Sequence, residues 1–71
     1  MRIDMNKFDL SKSQIDFLIE EWIFNSRNRE ILRDRLFDGL TFEQLAEKHG
    51  LSVRQTKNIV YKSMEKLISR L

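Results

Sequence analysis

The sequence predicts an all-α domain of four helices, and three observations carry that prediction. Apolar residues recur at spacings of three and four through most of the 71 residues. Proline is absent, and the two glycines, Gly39 and Gly50, fall just after strongly periodic segments, where a left-handed C-cap belongs. The same helix-starting chemistry appears three times: Ser11-Lys12-Ser13-Gln14, Thr41-Phe42-Glu43-Gln44 and Ser52-Val53-Arg54-Gln55 each place a glutamine three residues after a hydroxyl cap.

Each element follows from its residues. The leader 1–10 offers Ile3, Met5, Phe8 and Leu10, which either dock on the core or fray with the terminus. A first helix over 11–24 aligns Ile15, Leu18, Ile19, Trp22 and Ile23 on one stripe, with Leu10 and Ile15 in the positions of a hydrophobic staple. Phe17 and Phe24 lie beside that stripe and widen its apolar face. Asn25-Ser26-Arg27-Asn28 is rich in cap formers and predicts a break, with a second helix from 26 to about 38 turning Ile31, Leu32, Leu36 and Phe37 inward. One continuous helix through this stretch is the alternative. A short third helix over 41–49 carries Phe42, Leu45 and Ala46, stapled by Leu40 and Leu45. The fourth, from 52 to about 70, aligns Thr56, Ile59, Val60, Ser63, Met64, Leu67 and Ile68. No repeat, low-complexity run or linker divides the chain, so 11–71 is expected to be one domain of a complete small protein.

Composition excludes several function classes. There is no Cys and a single His, His49, at the turn, so no thiolate metal site can form and no Cys or second His can join His49 in a nucleophile or metal set. Glu43 and Glu47 stand four apart on a helix, as is common on solvated faces, and acid–base work needs a pocket besides. An enzyme, a cofactor, a metal and a small-molecule substrate are therefore not expected. No apolar run approaches the roughly 20 residues that span a bilayer, and no signal-peptide pattern is present, so no membrane partner and a cytoplasmic location are expected.

The segment Leu45-Ala46-Glu47-Lys48-His49-Gly50-Leu51-Ser52 has the residue types of a helix-turn-helix corner. A small residue at 46 lets two helices approach, Gly50 turns the chain, Leu51 plugs the corner and Ser52 caps the next helix. Thr56, Ile59 and Val60 then pack the recognition helix 52–69 against its partner and leave Val53, Arg54, Gln55, Lys57, Asn58, Tyr61 and Lys62 on the free face.

That face points to DNA. Arg, Lys, Gln and Asn make the donor contacts that read guanine and adenine in the major groove, and Val meets a thymine methyl. The helix has no carboxylate before Glu65, whereas a merely solvated face would include glutamates. Charge is also uneven: residues 1–25 carry three basic and five acidic groups, while residues 51–71 carry five basic and one acidic. Candidate phosphate contacts are Thr41 and Gln44 at the start of the third helix, Lys48, Arg33 or Arg35, and the flanking Gln55, Tyr61 and Lys62.

From about 27 to 67 the chain resembles region 4 of bacterial housekeeping-type sigma factors, the domain that reads the −35 promoter element; the helix-turn-helix pattern itself is shared with LuxR-type regulators. The matching stretches are Arg29-Glu30-Ile31-Leu32, Asp38-Gly39-Leu40-Thr41, the corner just quoted, and Ser63-Met64-Glu65-Lys66-Leu67. The resemblance implies base contacts at Val53, Arg54, Lys57 and Asn58, where the family usually has Arg, Glu, Arg and Gln. Lys57 and Asn58 keep that chemistry; Val53 and Arg54 do not. A sigma factor also melts the −10 element and grips core polymerase, which a chain of this length cannot do, so the resemblance implies a stand-alone module such as a small phage or mobile-element regulator. In the family the early helices dock on the polymerase β-subunit flap, which offers a role for Phe17, Trp22 and Phe24; the alternative is that these rings fill the core.

A sequence-specific regulator on double-stranded DNA is thus expected, its partner either a second copy or RNA polymerase, because one reading helix supplies too little discrimination alone. The competing expectation is an adaptor that binds polymerase or another regulator and hardly touches DNA.

Overall fold

Reciprocal capping sets three of the four helix starts. Ser11, Thr41 and Ser52 accept from the backbone N–H three residues on at 3.2, 3.1 and 3.0 Å, and Oε1 of Gln14, Gln44 and Gln55 accepts from the cap residue's own N–H at 2.8, 2.8 and 3.0 Å. Each cap satisfies donors that the helix start leaves orphaned and is worth about 1 kcal/mol. The computed structural model describes residues 11–70, in which these caps open α1 (Lys12–Trp22), α3 (Phe42–His49) and α4 (Val53–Ile68). α2 (Ser26–Leu36) starts on Asn25, whose Oδ1 accepts from the Asn28 N–H at 3.2 Å. The leader 1–10, with the docking expected of Ile3, Met5, Phe8 and Leu10, lies outside the described residues.

The break expected between the first two helices is present, and its cause is tertiary. Ile23 leaves the helix in an extended conformation (φ −104°, ψ 105°), buries its side chain in the core, and offers its carbonyl to the Arg29 guanidinium. α1 therefore stops at Trp22, short of the expected residue 24. α2 likewise stops at Leu36 and not near 38, because the chain turns through Gly39 (φ +69°) to bring the Leu40 N–H back onto the Asp34 carbonyl at 3.2 Å.

The helices close around one apolar core of Ile15, Ile19, Ile23, Ile31, Leu32, Leu45, Val60, Met64 and Leu67, with Leu18, Trp22, Leu36, Phe37, Phe42, Leu51 and Ile59 packed at its edge. All four helices contribute, so α1 and α2 form a platform on which the α3–α4 pair is fixed. Arg33 pins the platform together: its guanidinium pairs with Asp16 at 2.6 Å and with Glu20, both on α1. Among the described residues no helix is long and apolar enough to cross a membrane.

Candidate nucleic-acid interface

The corner between α3 and α4 is built as its residues require. Gly50 ends α3 in the left-handed region (φ +67°, ψ 35°), and the Leu51 N–H turns back to the Ala46 carbonyl at 2.9 Å. Ala46 is buried, so its small side chain lets the helices meet. Thr56 is fully buried on the facing side of α4, its hydroxyl satisfied by donating to the Ser52 carbonyl at 2.9 Å. With Thr56, Val60, Ser63, Met64 and Leu67 turned inward, the helical period leaves Arg54, Gln55, Lys57, Asn58, Tyr61 and Lys62 exposed and Val53 half-buried at the helix start.

The four expected base-contact residues thus share the N-terminal half of α4. Of the expected phosphate contacts, Thr41 and Gln44 are exposed at the start of α3, and Gln55 is exposed at the start of α4. Because each glutamine uses Oε1 in its capping box, its side-chain NH2 remains as a donor held in a fixed orientation. Tyr61 and Lys62 are exposed further along α4.

A cluster that sequence reasoning does not reveal links this face to α2 and α3. The ring of Phe42, one of the apolar residues of the third helix, is half-buried and surrounded: the Arg35 guanidinium lies 4.5 Å from its centroid, the Lys57 ammonium 5.7 Å, and the Tyr61 ring packs edge-on at 5.8 Å and 67°. Arg35 also donates through Nη1 to the Leu40 carbonyl at 2.8 Å. These contacts join residues far apart in sequence, so no local pattern announces them.

Two other expected phosphate contacts are engaged within the protein. Arg33 is spent on Glu20 and Asp16, whose hydrogen bonds raise its pKa. The Lys48 ammonium lies 2.8 Å from Asp34 Oδ2, which also receives His49 Nε2 at 3.1 Å. Burial pushes the Asp34 carboxyl upward, but hydrogen bonds from Lys48 and His49, with their charges, outweigh it and hold the group below the usual carboxylate range. Lys48 is raised in turn by its bond to Asp34. Glu30, Asp34 and His49 bring potential metal-ligand atoms within 4.8 Å of one another, but the Lys48 ammonium already supplies the positive charge at this point.

The aromatic residues of α1 and of the connection after it divide. Trp22 is half-buried under the Arg70 guanidinium, 4.1 Å from its ring, whereas Phe17 and Phe24 are 64% and 72% exposed, Phe24 beneath the Lys66 ammonium at 4.8 Å. Phe17 and Phe24 do not fill the core.

Searches of curated proteins and of solved structures found no match. The family model for sigma-70, region 4 matches residues 24–67, from within the α1–α2 connection through most of α4 and including the whole corner. With well over half of its length matched and the helix-turn-helix in place, the chain belongs to the sigma-70 region 4 family of DNA-binding, transcription-related domains.

Proposed function

We propose that this protein binds double-stranded DNA sequence-specifically and regulates transcription, with the N-terminal half of α4 lying in the major groove. The observation that carries this reading is the exposed face of α4: Arg54, Lys57, Asn58 and Lys62 stand together on the side turned away from the core, and the helix has no carboxylate before Glu65. Val53, Arg54 and Asn58 face base edges, and Lys57 stands at the border between bases and backbone. Thr41, Gln44 and Gln55 supply phosphate donors from two adjoining helix starts. Because Val53 and Arg54 replace the residues usual in the family, the target differs from its usual −35 sequence.

Three or four base contacts at ~1–3 kcal/mol each reach only the lower part of the ~4–10 kcal/mol that separates specific from non-specific binding. The reading therefore includes a partner, a second copy or RNA polymerase. Exposure of Phe17 and Phe24 favours a second reading, an adaptor that docks on polymerase or another regulator through α1 and the connection after it. Selection of bound sequences from a random duplex pool tests the first. Enrichment of a short box supports it, with a palindrome indicating a dimer, and Asn58→Ala should relax one position of that box. No enrichment, with polymerase captured instead, supports the adaptor.

A further inference from the structure

We propose that Arg35, Phe42 and Lys57 form a phosphodiester-binding site in which the Phe42 ring holds the two cations in position. The assignment rests on the DNA-binding reading and names one of its backbone contacts. Three helices meet here: Arg35 comes from α2, Phe42 from the first turn of α3 and Lys57 from α4. Both cations lie within reach of one ring, at 4.5 and 5.7 Å from its centroid, so they stand no more than about 10 Å apart. That separation is no greater than the screening length at 0.1 M salt, about 10 Å, and the two charges repel.

Arg29 and Arg33 pair with Glu20, Arg33 also with Asp16, and Lys48 with Asp34. Arg35 and Lys57 have no carboxylate oxygen within 4.0 Å among the described residues; Lys12, Lys66 and Arg70 also lie over rings without one, but only Arg35 and Lys57 share a single ring. The ring attracts both cations through its negative face but neutralises neither. An anion with several acceptor oxygens completes the arrangement. Arg35 spends Nη1 on the Leu40 carbonyl, which fixes the guanidinium plane and leaves further N–H donors for such a ligand. Tyr61 packs edge-on against the same ring. Lys57 follows Arg54 by one turn and adjoins Asn58, so a phosphate held here belongs to a strand running along the edge of the reading helix. Lys57 is thereby a backbone contact, and Phe42 is a positioning residue.

Equilibrium binding of the full chain to a random-sequence duplex at low salt tests this with F42L, F42Y, R35A, K57A and R35A/K57A, each checked for helical content by circular dichroism. F42L should bind about fivefold more weakly than the wild type, and F42Y should restore most of that loss. In the R35A/K57A background F42L should cost nothing further, since the ring then has no cation to hold. K57A should weaken binding to all sequences alike and leave the selected box unchanged. A loss on F42L that persists in the R35A/K57A background, or wild-type affinity in F42L, overturns the site while leaving DNA binding intact. A wild type that does not bind duplex overturns the DNA-binding reading, and the site with it.

Discussion

His49 Nε2 lies 3.1 Å from Asp34 Oδ2 and ties the last residue of α3 to the buried side of α2. With Lys48 on the same carboxylate oxygen, this contact fixes the end of the first helix of the helix-turn-helix against the platform beneath it. Asp34→Ala removes the shared acceptor and leaves a buried imidazole without its partner. A loss of about 2 kcal/mol in denaturant unfolding is expected. Wild-type stability in Asp34→Ala would show that the corner is held by apolar packing alone.

The same carboxylate makes stability depend on pH. Its folded pKa lies below the unfolded value, so the native state binds the proton less readily than the unfolded chain. The contribution is present above the ordinary aspartate value, about 3.9, and is lost as pH falls through the folded value. Thermal melts taken from about pH 6 down to about pH 2 should show a shallower acid limb in Asp34→Asn than in the wild type. Superimposable acid limbs would assign the effect to other carboxylates.

Gly50→Ala tests the turn. A Cβ at this position meets nothing within 4 Å, so the cost is conformational and comes from φ +67°. It should be about 1–2 kcal/mol, and Gly50→Asn should cost less. Equal stability of the alanine and glycine proteins would mean that the turn relaxes into another conformation.

Much of this architecture is legible in the sequence because its signals are local. The Ser11, Thr41 and Ser52 boxes each need only a residue and its neighbour three positions on, and each forms as expected. The left-handed stop at Gly50 is equally local. What escapes is non-local. α1 ends early because Ile23 turns into the core and Arg29 takes its carbonyl. Asp34 looks like a surface residue of α2 until Lys48 and His49 arrive from α3. At the candidate site the face of α4 follows from periodicity, whereas the gathering of Arg35 and Lys57 on Phe42 depends on how three helices cross.

Phe17 and Phe24 should contribute little to folding. Replacing either with serine should change stability by no more than about 0.5 kcal/mol, as expected for exposed positions. Ile19→Ala, by contrast, opens the core at a residue with 0% exposure and should cost about 2–5 kcal/mol. If Phe17→Ser or Phe24→Ser destabilises the domain to a similar degree, these rings are covered within the chain and are not free for a partner.

Salt dependence of duplex binding tests DNA recognition most directly. The logarithm of the binding constant should fall linearly with the logarithm of salt concentration, with a slope of about −3.6 or steeper if four or more phosphates are neutralised at about −0.9 each. A slope near zero, or no detectable binding to any duplex at low salt, would contradict the account and leave the exposed Phe17 and Phe24 as the working surface.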